Sequence, residues 1–413
     1  MITSELITMK KYFLLFILSI ICLLNVHAAD LNTINSQNAL VINLNDNSIL
    51  YSKNIDEKIE IASLTKIMTC LVAIEKIDDF NKTVTITEPM LEDIFEYSKA
   101  GLKVGDTVTL EDLLYGIMLP SGADAVQAVA ITLAGSNESF AELMNERAKS
   151  LNLSNTHFSN GIGKDEDNYS TVSDVSKILI EALKNPKFYK IYTTKSYTMT
   201  NGLELTSTIS THKLDTSLIK GSKTGFTDAA GLCITAFYED DTYKYLVVTA
   251  KANFTEGKPY HILDALTFIQ YYLENYHYID LYKKGDTLTS IPVINSLKDK
   301  YDILSKETIK LYVPTNITPE NLNIKINTID NISNNLKKGS YLGNIKVSNN
   351  ENELYYEDFT LDEDIKYKNN SDKPIIILLI IAMVLLMIYN ILLRCKIHRI
   401  INSLKSKKNN KIT

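Results

Sequence analysis

Three short clusters of reactive side chains are spaced along this chain: Ser63-Leu64-Thr65-Lys66, Ser121-Gly122-Ala123 and Lys223-Thr224-Gly225. A serine hydroxyl is a weak nucleophile at neutral pH. It needs a base within hydrogen-bond reach, a route for the proton and a cation that anchors an anionic substrate. Lys66 follows Ser63 by three positions, and on a helix that spacing puts both side chains on one face. An ammonium cannot accept a proton, so Lys66 must spend part of its time neutral. Burial and a neighbouring cation both lower a lysine pKa, and Lys223 is the expected cation. A helix N-terminus would favour negative charge developing at Ser63.

Ser121, on a turn, could pass protons between Lys66 and a leaving group. Lys223 would attract a carboxylate and the Thr224 hydroxyl would hydrogen-bond it, while Gly225 lets the backbone come close. By position, the backbone N–H groups of Ser63 and Phe226 are the expected oxyanion donors. Each cluster has a plain alternative. Ser217-Leu218-Ile219-Lys220 repeats the Ser-x-x-Lys spacing, but its expected strand setting turns i and i+3 to opposite faces. Ser121-Gly122 is also an ordinary way to open a helix, and Lys-Thr-Gly could be an ordinary strand end. The ordered set carries the argument.

The elements that must position these groups can be read from periodicity. Ala62–Ile77 has Leu64, Ile67, Met68, Leu71 and Ile74 at helical spacing. A second helix is expected to open at Thr109 with Asp112 as a capping partner and to stop before Pro120. A third, alanine-rich helix runs from Ala123 to Ala134, leaving Ser121 and Gly122 on the turn. Strands are expected at 38–44 and 48–52 around Asn45-Asp46-Asn47, and again at 219–225, 231–237 and 243–250, with a helix over 260–276. Strands at both ends with helices between them imply an α+β fold with an antiparallel sheet. Beyond Tyr278, short β-type runs such as 308–313, 322–326, 342–347 and 354–359 imply a small all-β domain.

The chain has 413 residues, long enough for two folded units. Lys10 and Lys11 precede an apolar run from Tyr12 to Leu24, and Val26-His27-Ala28 supplies a small-residue cleavage pattern, so residues 1–28 are expected to be a signal peptide. Pro374–Leu393 is uncharged throughout, long enough to cross a ~30 Å hydrocarbon core. Arg394, Lys396, Arg399 and four further lysines follow it, which places residues 394–413 in the cytoplasm and the preceding chain outside. The formal charge is −6 even with that basic tail, so the remainder is more acidic still. No basic stripe interleaved with aromatics occurs, and nucleic-acid binding is excluded as the main function. Of four cysteines, only Cys70 and Cys233 fall between the two terminal segments; their apolar settings favour two buried thiols over a disulfide. The six histidines are scattered with no zinc-type spacing.

These residues resemble a known family. Ala62-Ser63-Leu64-Thr65-Lys66-Ile67-Met68-Thr69, the run Asp112–Ala125, Asn168-Tyr169-Ser170-Thr171 and Lys223-Thr224-Gly225-Phe226-Thr227 with Ala230-Gly231 are similar to the serine-type D-Ala-D-Ala carboxypeptidases, the low-molecular-weight penicillin-binding proteins. The similarity covers about residues 33–275. Lys337–Gly343 more loosely resembles that family's second domain. The resemblance implies a DD-peptidase and β-lactamase-like transpeptidase domain over 29–277, a β-rich domain over 278–368 and a membrane anchor over 374–393. It implies a peptidase whose Ser63 is acylated by peptidoglycan stem peptides ending in D-Ala-D-Ala and by β-lactams, with no metal and no organic cofactor. The bacterial cell membrane, with the catalytic domain on its outer face, is the implied location. One position departs from the pattern: Ala123 stands where the family usually has asparagine. Losing that amide would cost about 1–3 kcal/mol of transition-state stabilisation. The departure keeps a weakened wall-peptide-binding protein open as an alternative, beside a D,D-endopeptidase or β-lactamase on the same fold. The segment Glu-x-x-Leu-Asn that serine β-lactamases use for deacylation is absent, which disfavours the last.

Overall fold

The computed structural model describes residues 29–164, 166–333, 336–349, 352–367 and 372–409. The expected signal peptide, 1–28, lies outside the described residues. The chain divides into two compact units between Asn275 and Tyr276.

The first unit is built on a five-stranded antiparallel sheet. Its strands are β1 (Asn38–Asn43), β2 (Ser48–Lys53), β3 (Gly221–Thr227), β4 (Gly231–Glu239) and β5 (Lys244–Ala252), in the order β2-β1-β5-β4-β3. Val41 pairs with Val247 and Ala236 with Val247, which brings the two ends of the unit's sequence into one sheet. The order leaves β3 on an edge. Every residue of β1 is buried, so both faces of the sheet are covered. Leu40, Ile42, Leu246 and Val248 join the large helical core. Their alternate neighbours Val41, Val247 and Ala236 are buried away from it, as a period of two requires. The helix Tyr260–Asn275 packs on β4 and β5.

Between the two groups of strands lie α1 (Lys66–Lys76), α2 (Leu110–Met118), α3 (Ala123–Ala134), α4 (Asn137–Ser150), α5 (Val172–Leu183) and α6 (Pro186–Thr193). The closing helix, Tyr260–Asn275, is α7. Helix α1 is the hub: Lys66 through Ile74 are all buried, and α2 to α6 all touch it. The ends of the helices follow local chemistry. Thr109 caps α2 in a reciprocal box with Asp112, as the sequence implies. Thr171 caps α5 by accepting from the Asp174 N–H at 2.9 Å, a contact typically worth about 1 kcal/mol.

Several expected boundaries shift. The helix read over Ala62–Ile77 is a 3-10 turn, Ala62–Thr65, followed by α1. Ala62, the first residue of that turn, is held at φ +45°, outside the helical region. The strand expected at 219–225 is β3, two residues later. Ser217-Lys220 lies on a turn and not on a strand. That alternative pair is absent for a different reason than expected: Lys220 is drawn to Glu239 at 2.6 Å. Cys70 and Cys233 are buried free thiols, as their apolar settings imply.

The second unit holds the strands β6 (Tyr276–Tyr282), β7 (Thr287–Pro292), β8 (Lys300–Leu304), β9 (Ile309–Pro314), β10 (Asn323–Thr328), β11 (Tyr341–Asn349) and β12 (Asn352–Thr360). They form the antiparallel pairs β6-β9 and β7-β8 and the triplet β10-β11-β12. Their core includes Ile291, Leu311, Val313, Ile345 and Val347. A helix, α8, runs from Asp372 to Asn409. Its segment Lys373–Ser406 is long and apolar enough to cross a membrane, with a mean hydropathy of 3.1 over its most apolar window.

Candidate active site

The 3-10 turn places Ser63 immediately before α1. Residues i and i+3 eclipse one another on such a turn, and Lys66 Nζ donates to Ser63 Oγ at 3.0 Å. The amine also donates to the Ile162 carbonyl at 2.7 Å. Lys66 is 1 % exposed. Burial lowers its pKa to about 7, against weaker opposing pulls from Cys70 and Asp124. Burial is the first cause for both amines, and each charge disfavours the other: Lys223 is lowered well below the ordinary lysine value by burial first and by the nearby Lys66 charge second.

Lys223 approaches from β3, far away in sequence. Its Nζ donates to Ser121 Oγ at 2.9 Å and to the Thr224 carbonyl at 2.8 Å. Ser121 sits on the turn between α2 and α3, as expected, at φ +64° and only 4 % exposed. Two non-glycine residues of this site, Ala62 and Ser121, therefore hold left-handed backbone. Such conformations persist only where the surroundings over-determine them. The Thr224 hydroxyl shares a hydrogen bond with Thr208 at 2.6 Å.

Gly225 shows why the third cluster needs a glycine. A Cβ there would lie 2.9 Å from the Ser63 nitrogen and 3.1 Å from the Ala62 Cβ, so a side chain would push the edge strand off the serine turn. Gly163, at φ +95°, faces the Ala62 carbonyl with no room for a Cβ. Phe226 is half-exposed, with its ring centroid 4.8 Å from that of Phe254.

Ala123 is fully buried at the first turn of α3, and its N–H donates to the Ser98 carbonyl at 2.8 Å. No side-chain amide stands at that position to meet Lys66. The adjacent Asp124 does not replace it. Its carboxylate accepts from the N–H groups of Ala100, Gly101 and Leu102 at 2.8–3.0 Å, and so fixes the loop bearing Ser98.

A cleft of about 240 Å³ opens over the pair, lined by Ser63, Lys66, Glu96, Tyr97, Ile162 and Lys164 on one side and by Phe226, Thr227 and Asp228 on the other. The structure thus brings Ser63, Lys66, Ser121, Lys223, Thr224, Gly225 and Phe226 to one region from three separate stretches of chain. Sequence reasoning missed the two loops that wall the cleft, 95–98 and 161–164. Asn160-Gly161-Ile162-Gly163 is a loop signature that could have marked the second; nothing comparable marks the first. No cluster of His, Cys, Asp and Glu able to hold a metal occurs among the described residues.

A Ser-x-x-Lys turn at the head of a buried helix, beside a lysine-bearing edge strand of an antiparallel sheet, defines the penicillin-binding protein fold. Similarity at the level of whole chains agrees. Residues 25–253 match the family described as D-alanyl-D-alanine carboxypeptidase, and residues 276–367 match the penicillin-binding protein 5 C-terminal domain. The chain belongs to the D-alanyl-D-alanine carboxypeptidase family, a family of serine hydrolases. It is 27 % identical to D-alanyl-D-alanine carboxypeptidase DacF of Bacillus subtilis over 80 % of this chain and 86 % of that one. It is 30 % identical to DacA of Escherichia coli over 70 % and 75 % respectively. Penicillin-binding protein 5 of Haemophilus influenzae shares the fold with a TM-score of 0.64 at 23 % identity, covering 81 % of this chain and 98 % of that one.

Proposed function

We propose that this chain is an active, membrane-anchored D-alanyl-D-alanine carboxypeptidase, in which Ser63 is the nucleophile. The carrying observation is the contact of Ser63 Oγ with a buried amine, Lys66 Nζ, at 3.0 Å. Neutral Lys66 takes the Ser63 proton as the hydroxyl attacks the carbonyl of the penultimate D-alanine. The oxyanion forms between the Ser63 and Phe226 N–H groups. Ser121 passes a proton to the departing amine, and terminal D-alanine leaves. Water then hydrolyses the ester, with Lys66 again taking the proton. Lys223 and the Thr224 hydroxyl bind the terminal carboxylate of the peptide. That carboxylate would raise the Lys223 pKa on binding, so substrate itself charges the anchor.

The apolar segment within α8 and the basic residues after it support a single-pass anchor with the catalytic unit on the outer face. On this reading residues 29–277 form the peptidase domain, 278–368 the β-domain and 394–413 a cytoplasmic tail. β-Lactams would acylate the same serine. The test is incubation of the purified chain with a fluorescent penicillin and, separately, with a peptide ending in D-Ala-D-Ala. Labelling at Ser63 with release of D-alanine is the expected result. Labelling without release would leave a wall-peptide-binding protein, and neither event in folded protein would falsify the catalytic reading.

A further inference from the structure

The mouth of the cleft carries charge that the acylation chemistry does not use. On one wall, Lys164 Nζ pairs with Glu96 at 2.7 Å and lies 5.1 Å from the centre of the Tyr97 ring. That contact ties the 95–98 loop to the 161–164 loop and neutralises Glu96. Asp228 follows directly after β3, is exposed and lines the same cleft. Its carboxylate acts on Lys164 only through space, and it makes no ion pair or hydrogen bond among the described residues. With Glu96 already paired to Lys164, Asp228 is the carboxylate of the cleft left without an ion-pair partner among the described residues.

The strand register says which part of a substrate would meet it. This argument rests on the proposed function. A peptide whose terminal carboxylate sits at Lys223 and Thr224, and whose scissile carbonyl sits at Ser63 beside Gly225, must run antiparallel to β3. Its upstream residues then pass Phe226, Thr227 and Asp228. From Gly225 to Asp228 is three residues, or about 10 Å at the rise of a strand. A long side chain on the residue before D-alanyl-D-alanine reaches that point.

We propose that Asp228 is a specificity residue that reads a free amine on the side chain of the residue preceding D-alanyl-D-alanine. Glu96 and Lys164 form the opposing wall and hold Tyr97 in place against the same side chain. The pairing is partly exposed, so its contribution is that of a surface ion pair, roughly a fivefold preference in kcat/KM. It also weakens with salt.

The experiment compares two peptides, acyl-L-Lys-D-Ala-D-Ala and its Nε-acetylated form, on the full chain and on variants. Wild type is expected to favour the free amine about fivefold at low salt, with the ratio falling towards one at about 0.5 M salt. Asp228→Asn should bring the ratio to about one and Asp228→Glu should retain it. Asp228→Lys should disfavour the free amine and favour an Nε-succinylated peptide, a reversal that misfolding cannot mimic. Equal turnover of the two peptides by wild type, or an unchanged ratio in Asp228→Asn, overturns the inference and leaves the carboxypeptidase reading intact. Absence of D-alanine release from both peptides overturns that reading, and this inference with it.

Discussion

The rate at which Ser63 is acylated should follow the protonation of one buried amine. A lysine at its ordinary value of 10.5 is neutral in only about 3 of 10,000 molecules at pH 7. Burial in the Ile162 loop and the α1 turn lowers Lys66 to about 7, so about half of the molecules carry the base at that pH. The fold therefore raises the population of competent base by about three decades. The acylation rate should climb about tenfold per pH unit below about pH 6.5 and level off above about pH 7.5. The assay is stopped-flow or quenched labelling by a fluorescent penicillin between about pH 5 and pH 10. Lys223 is depressed by burial and by the nearby Lys66 charge, so the midpoint belongs to the pair. A rate still rising through about pH 9 would refute the assignment of Lys66 as a base made available by burial.

The same shift makes a stability statement with the opposite sign from a salt bridge. Because the folded pKa of about 7 lies below the unfolded 10.5, the unfolded chain binds more protons between those values. Lys66 thus destabilises the fold fully below pH 7, and stability recovers as pH rises towards 10.5. The displacement from 10.5 to about 7 corresponds to about 5 kcal/mol. Lys66→Met should abolish labelling, and it should also raise the denaturant midpoint at pH 6 and flatten its pH dependence. An unchanged midpoint would show that the amine is hydrated in the folded chain.

Three further substitutions probe positioning. Gly225→Ala puts a Cβ 2.9 Å from the Ser63 nitrogen, and a displacement of the edge strand by ~1 Å should slow acylation about 100-fold while circular dichroism stays native. Asp124→Ala removes the acceptor of three loop N–H groups; urea titration should register a loss of about 3 kcal/mol. Ala123→Asn supplies the amide that the family pattern has there, and penicillin labelling should accelerate by about one to two decades. Because Ala123 is fully buried, the same variant should lose about 1–3 kcal/mol of stability.

The residues of the proposed machinery were legible because their chemistry is local or their order is informative. Ser63 and Lys66 lie one turn apart, so a single helical element suffices to join them. The cap of α2, the turn at Ser121 and the alanine-rich α3 are likewise settled by neighbours in sequence. The edge position of Lys223 is set by the sheet order β2-β1-β5-β4-β3. The β6 strand escaped notice because Tyr276–Tyr282 continues the aromatic run of α7, with no turn residue between them.

By itself the sequence determined which side chains can react, which segments are apolar enough for a membrane, and that strands flank a helical cluster. Only the tertiary structure decided how those side chains behave. Burial of Lys66 is a property of the five helices packed around α1, and no window of sequence contains them. The proximity of Lys66 and Lys223, the left-handed backbone at Ala62 and Ser121, and the walls of the cleft all depend on residues remote in the chain. Hydration and Coulombic energies are set by distances in space, and periodicity along a chain encodes only the faces that are brought together.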